Sequence, residues 1–242
     1  MMPATLDKRE VRIQRMFGQI APWYDFLNHL LSLNIDRSWR TKTARRVAPI
    51  EGAGPILDLC TGTGDLALTY DRAASGSAII GADFCHEMLV RAVEKATTAG
   101  SNERVRFVEA DAQALPFPND VFQIVSVAFG LRNVTDPDRG LAEMVRVTKP
   151  GGRVAVLEFS RPRGRFLGPL YRWYFRSVLP RVGQVVSRDK ESAYRYLPES
   201  VMQFPDGEQL ADRLRAAGLG DVTYEPFTFG IATLYVGVKP NR

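Results

Sequence analysis

The stretch from Ile56 to Ala67 constrains this chain more than any other. Its apolar opening, Ile56, Leu57 and Leu59, predicts a buried parallel strand. The strand gives way to Thr61-Gly62-Thr63-Gly64, and Asp65 is placed to cap a helix running on through Leu66, Ala67 and Leu68. Glycines at that turn let backbone pass close to a ligand, because no Cβ stands in the way. Strand, glycine turn and helix start form the nucleotide-binding unit of a doubly wound sheet. Glycine turns also serve simply to join strands to helices, so this one needs a second signal.

Asp83 supplies it. It ends a second apolar run, Ala78 to Ala82, about 20 residues beyond the glycines, where an acid meets ribose hydroxyls. Gly62, Gly64 and Ala67 formally satisfy the dinucleotide pattern, which places a pyrophosphate on helix N–H groups. Asp58 and Asp65 flank the turn, however, and two carboxylates there repel phosphate at short range. S-adenosylmethionine carries an ammonium and a sulfonium and no phosphate, so an acidic glycine turn favours it over NAD.

The rest of the chain agrees with one α/β domain over 1–242. At 242 residues it is long enough for a substantial core. Cys60 and Cys85 sit beside predicted strands with no paired spacing, which argues against a disulfide framework or a metal site and suits a reducing cytoplasm. The opening residues lack the apolar stretch of a signal peptide, and no apolar run is long enough to span a bilayer. Three more strands are expected: Val105 to Asp111, Phe122 to Phe129 and Arg153 to Phe159. Asp111 and Ala112 then lie at a strand's carboxyl end, where an adenine ring would rest. Helices are expected from Asp136 to Val147 and from Asp206 to Ala217, with Lys149-Pro150-Gly151-Gly152 as a stop and tight turn. Two final β-rich runs, Val222 to Phe229 and Ala232 to Lys239, read as a hairpin adding antiparallel strands to one edge. The fold class is therefore α/β, a doubly wound, mostly parallel, Rossmann-like sheet with a C-terminal antiparallel hairpin.

Residues 1–50 precede the first strand. Arg9 to Val47 is helical in pattern, with a break at Pro22 and Trp23, Tyr24, Phe26, Asn28 and His29 crowded beside it. Two readings stand side by side: helices packing on the sheet, or a lid with Tyr24 and Asp25 facing a ligand.

Several segments resemble a known family. They are Phe17 to Asp25 with Asn28, Leu57 to Asp65, Ala114 to Pro118, Phe129-Gly130-Leu131-Arg132-Asn133-Val134, Lys149 to Gly152, Leu157-Glu158-Phe159-Ser160, Tyr194 to Leu197 with Glu199-Ser200, and Phe227 to Gly230. Together they resemble the S-adenosylmethionine-dependent methyltransferases of seven-strand fold. Within these the closest branch is the C-methyltransferases of menaquinone and ubiquinone biosynthesis. The resemblance implies cofactor contacts at Thr63, Asp83, Asp111 and Ala112, beside Asp58, Gly62 and Gly64. It implies no metal, and methylation of a prenylated quinol, most of all demethylmenaquinol. Some ubiquinone-type members carry a serine where this chain has Ala128, which inclines the match to the menaquinone side.

A quinol ring carbon is a poor nucleophile until a hydroxyl loses its proton, and a phenol near pKa ~10 is mostly protonated at neutral pH. Arg132 is the candidate to favour the anion by its charge, and Asn133 by a hydrogen bond. Asp25, Tyr24 or an ordered water is the candidate proton acceptor. Other readings are the equivalent ubiquinone-pathway reaction, a methyltransferase for another small molecule, and a non-enzymatic cofactor-binding subunit. The net charge of +5 is modest, and no nucleic-acid-binding module is visible. Between 161 and 205 arginines interleave with aromatic and aliphatic residues. That reads either as a packed amphipathic insertion or as a surface for reversible contact with anionic membranes by a cytoplasmic protein. A homo-oligomer is left open.

Overall fold

The sheet grows outward from the strand that leads into the glycine turn. β1 (Ile56–Leu59) is buried at every residue and pairs in parallel with β2 (Ile79–Asp83) on one side and β4 (Phe122–Ala128) on the other. β3 (Val105–Glu109) joins beyond β2 and β5 (Thr148–Phe159) beyond β4, both parallel. β6 (Gly220–Phe227) and β7 (Ala232–Val238) pair antiparallel with each other, and β7 lies antiparallel against β5. The order is β3-β2-β1-β4-β5-β7-β6, so the later strand of the hairpin is inserted and the earlier one forms the edge. The chain reverses direction across the sheet between β1 and β4, the point at which a doubly wound sheet opens a crevice at its carboxyl ends. This computed structural model describes residues 10–21, 24–25, 32, 34–73, 76–162 and 193–241.

Helices cover both faces because strand side chains alternate. Leu57, Leu59, Val125, Val127, Val154 and Val156 pack on one face against α5 (Pro137–Val147) and α7 (Glu208–Ala216). Ile56, Ile124, Ala155 and Leu157 pack on the other against Trp39 of α2 (Ile35–Arg46) and Leu66 and Tyr70 of α3 (Asp65–Ala73). A third apolar cluster sits over the carboxyl ends. It joins α1 (Glu10–Ile20), the start of α4 (His86–Thr98) and Tyr196 of α6 (Ala193–Gln203).

Several local expectations shift, each for a physical reason. Asp65 is the first residue of α3 rather than its cap, since its carboxylate is taken by Lys95 at 2.5 Å. Lys149 to Gly152 does not separate α5 from β5 but lies within the β5 ladder. Gly151 N–H donates to Lys239 O (2.8 Å) and Lys239 N–H to Gly152 O (2.9 Å), so pairing continues past the turn. β3 stops at Glu109 rather than Asp111. α7 starts at Glu208 rather than Asp206, whose carboxylate instead holds Arg161 at 2.8 Å. The break at Pro22, with Trp23, Phe26, Asn28 and His29, lies outside the described residues, as do residues 163–192 of the basic-aromatic segment.

Candidate active site

Turns at the carboxyl ends of β1 to β4 surround a cavity of about 690 Å³, open solvent included. Cys60 and Gly62 line it from β1, Asp83 and Phe84 from β2, Ala110 to Gln113 from β3, and Ala128 to Gly130 with Asn133 from β4. Ile13 and Phe17 of α1, with Tyr24, form its roof. The turns approach one another closely. Cys60, Gly62 and Gly64 all have positive φ (50°, 56° and 82°), and a Cβ on Gly130 would stand 2.4 Å from that of Cys60. A side chain at Gly64 would press on the Phe107 ring, at 3.1 Å.

Asp83 is the acid at the centre. Its carboxylate accepts from Gly62 N–H (2.8 Å) and Cys85 N–H (2.9 Å) and is 7 % exposed. Burial pushes its pKa up to about 6, against those backbone donors. The glycine turn therefore gives its Gly62 N–H to Asp83, and Gly64 N–H goes to Thr61 O (2.9 Å). Neither is left for a phosphate, and a carboxylate stands where a pyrophosphate would need donors. The repulsion expected from Asp58 and Asp65 thus comes from Asp83 instead. Asp111, exposed at the rim, is oriented by Gln113, whose backbone N–H reaches it at 2.9 Å. Ala112 is buried in the wall.

Asp58 stands behind the turn, away from the cavity lining. It accepts from Thr61 Oγ1 (2.6 Å) and Ala67 N–H (3.0 Å), tying the turn to the start of α3. Burial drives its pKa up to about 7. Thr63 also faces away from the lining: its hydroxyl donates to Asp25 at 2.5 Å. Lys95 of α4 donates to Asp25 (2.7 Å), Asp65 (2.5 Å) and Thr63 (3.1 Å), gathering the roof, the glycine turn and α3 into one ionic cluster. Tyr24 and Asp25 therefore part company. Tyr24 lines the cavity and its ring passes over Gly62, while Asp25 is held in the cluster.

Arg132 is a buried arginine rather than a surface one. Its Nη1 donates to Phe129 O and to Glu158 (3.0 Å), and the guanidinium lies over the Phe159 ring at 5.2 Å. It sits beside the cavity wall and Asn133 forms part of that wall, its Nδ2 directed to Phe129 O. Glu158 and Lys95 are the structural partners that sequence reasoning missed. A carboxylate inside the apolar run Val154 to Phe159 was the signal for Glu158, since a buried acid requires a cation. Lys95, at a helical position with no distinguishing neighbour, had none.

A nucleoside without phosphates suits this site. The acids at the ends of β2 and β3 can accept hydroxyl and amine donors, and the Gly62 and Gly64 N–H groups of the turn are already engaged within the protein. The chain matches the model of the ubiE/COQ5 methyltransferase family over residues 5–239. It is 49% identical over 225 residues to a demethylmenaquinone methyltransferase of Thermus thermophilus, covering 93% of this chain and 100% of that one. It is 44% identical over 235 residues to a ubiquinone/menaquinone biosynthesis C-methyltransferase of Geobacter sulfurreducens, covering 97% and 91%. Among solved structures, the [4+2]-cyclase SpnF superposes with a TM-score of 0.72 at 20% identity over 99% of both chains. A SAM-dependent methyltransferase from Thermotoga maritima gives 0.68 at 18%, over 94% of this chain and 99% of that one. Those two likenesses speak for the seven-strand fold alone, and a cyclase among them shows that fold does not fix the reaction. The family match spans the glycine turn, Asp83 and the Arg132–Glu158 pair together, and on that extent the chain belongs to the ubiE/COQ5 methyltransferase family and is a methyltransferase.

Proposed function

We propose that this protein, as one domain, transfers a methyl group from S-adenosylmethionine to a ring carbon of a prenylated quinol, converting demethylmenaquinol to menaquinol. The observation that carries the reading is a cavity that joins Asp83 and Asp111 on one side to the Asn133 turn on the other. The named relatives support the same chemistry. Ala128, on the cavity wall, offers no hydroxyl, which favours the menaquinone over the ubiquinone substrate.

The cofactor, when bound, supplies an electrophilic methyl on a sulfonium. Asp83, when ionised, would hold the two ribose hydroxyls, and Asp111 would accept from the adenine amine. Ile13, Phe17 and Tyr24 close the roof and exclude water. Asn133 presents its amide at the wall beside Arg132, whose charge is held in place by Glu158 and favours the ionised form of a nearby phenol. Tyr24 is better placed than Asp25 to meet the substrate's proton, because Asp25 is engaged by Lys95 and Thr63. Much of the rate would come from the cavity holding the ring carbon close to the methyl donor.

The prenyl tail brings the substrate from a lipid phase, so we further propose a cytoplasmic enzyme that touches anionic membranes reversibly. No helix among the described residues is long and apolar enough to cross a membrane. Phe229, 79% exposed, stands on the β6–β7 turn, where Gly230 lies beside Pro162 at the start of the basic-aromatic segment. Flotation with anionic and neutral vesicles over a salt series tests this contact. Incubation with labelled methyl donor and a short-chain demethylmenaquinol, followed by mass analysis, tests the reaction; a product without the added methyl refutes it.

A further inference from the structure

We propose that Tyr196 binds a hydroxyl oxygen of the substrate ring, in a polar subsite completed by Arg132 Nε and Asn133 Oδ1. This rests on the quinol reading above and adds a residue on α6, outside the strand-end turns. The starting point is an imbalance. Arg132 Nε, Asn133 Oδ1 and the Tyr196 hydroxyl are all buried without a hydrogen-bond partner among the described residues. They belong to two elements in contact, since α6 packs on the 3₁₀ turn Leu131–Asn133. Tyr196 and Arg132 are only 7 % and 6 % exposed. Buried polar groups without partners are rare, and three at one contact mark a place where a ligand completes the bonding.

The donor and acceptor pattern fits a phenolic oxygen. Arg132 spends Nη1 on Glu158 and Phe129 O, leaving Nε–H as a donor. A phenol accepts from Tyr196 O–H and donates to Asn133 Oδ1; its anion accepts from both Arg132 and Tyr196. A quinone carbonyl has no proton for Asn133, so the subsite prefers the reduced ring. Tyr196 stays a donor through the neutral range, since burial pushes its phenol up to about 12. The charged groups acting on it are Arg132 and Glu158 from the sheet side and Arg12 from α1. Tyr196 belongs to one apolar cluster with Ile13 and Met88, against which Phe17 and Tyr24 pack, and these four line the cavity.

The test is Tyr196→Phe, which keeps the ring and its packing. With short-chain demethylmenaquinol, kcat should fall on the order of a hundredfold, as for loss of one donor to a developing oxyanion. The pH–rate profile should move to higher pH, because the bound phenol ionises less readily. Affinity for S-adenosylhomocysteine should remain within about twofold of wild type, and calorimetry under reducing conditions should show weaker binding of 1,4-naphthoquinol. A variant that binds the naphthoquinol as tightly as wild type, with an unshifted profile, overturns the inference. Equal losses of naphthoquinol and S-adenosylhomocysteine affinity overturn it too, by making Tyr196 structural. A wild type that binds the naphthoquinol through Tyr196 yet methylates no quinol breaks the functional reading and leaves the subsite standing.

Discussion

The two ends of the cavity are built in different ways. At β1 to β3 the chain presents backbone: Asp83 takes the Gly62 and Cys85 N–H groups, and positive φ at Cys60, Gly62 and Gly64 shapes the turn. At β4 and β5 it presents side chains from distant segments: Arg132 on Glu158, with Tyr196 brought in by α6. The first end is fixed by local sequence and is shared by many nucleotide folds. The second depends on residues 26 to 64 positions apart meeting in the interior. Cofactor binding and substrate handling should therefore fail separately under mutation.

The sharpest break is Glu158→Ala. Removing one partner of a buried ion pair leaves an uncompensated charge, at a cost of about 3–5 kcal/mol. Arg132 N–H and Phe159 N–H lose their acceptor as well. Urea unfolding measures the loss. A cost below about 1 kcal/mol would show that the pair is solvated, as surface pairs are. Replacing both partners, Arg132→Met with Glu158→Leu, should recover the part of the loss that comes from the stranded charge, though not the part from the two N–H groups, and should not recover turnover; S-adenosylhomocysteine affinity should stay near wild type.

At the other end Asp83→Ala should cost cofactor affinity on the order of 2 kcal/mol or more, as expected for hydrogen bonds to a charged group. Asp83→Asn keeps the volume and an acceptor and separates lost charge from a collapsed turn. Titration calorimetry with S-adenosylhomocysteine decides; full affinity in a folded variant removes Asp83 from the site.

This contrast also explains what could be read from the sequence. Parallel strands, the glycine turn and Asp83 were legible because local pattern and turn chemistry specify them. The insertion of β7 between β5 and β6 was not, since a hairpin's sequence does not say which of its strands pairs inward. Asp25 and Tyr24, adjacent in sequence, were read as one unit; Lys95, on another helix, separates their roles. Asp58 was grouped with the ligand-facing acids because spacing cannot say whether a carboxylate points into a cavity or behind a turn. Arg132 was recognised as a residue of interest, but its partner Glu158 and its neighbour Tyr196 meet it only through tertiary packing.

A pH series sharpens the comparison further, because stability and affinity should run in opposite directions. The folded pKa of Asp58 is raised to about 7 and that of Asp83 to about 6, above the ~3.9 of an unfolded aspartate. Between pH ~4 and its folded pKa, each group holds a proton in the folded protein that the unfolded chain has released. Their contribution to stability is therefore full at the acid end and is lost as pH rises through 6 and 7. Cofactor affinity needs Asp83 ionised, so it should be level above pH 6 and fall about tenfold per unit below it. Affinity unchanged between pH 7 and pH 5 would mean the ribose hydroxyls do not depend on this carboxylate.

The smallest expected effect falls on Lys95, where the roof meets the cofactor end. Its ammonium joins Asp25 to Asp65, but the three side chains are 29%, 30% and 22% exposed, so solvent screens the attraction. Lys95→Met keeps much of the stem and removes the charge, leaving Asp25 and Asp65 to repel one another. Asp65 retains Arg40 at 3.8 Å, which limits the damage to α3. The loss should be about 0.5–1 kcal/mol, read as a two- to fivefold faster release of S-adenosylhomocysteine in stopped flow. Raising salt should speed release from the wild type toward that of the variant, because screening weakens the same contacts. Tyr196→Phe, at the other end, should leave this release rate alone. Release from Lys95→Met at the wild-type rate, indifferent to salt, would show that the roof is held by the apolar packing of α1 and not by its ionic cluster.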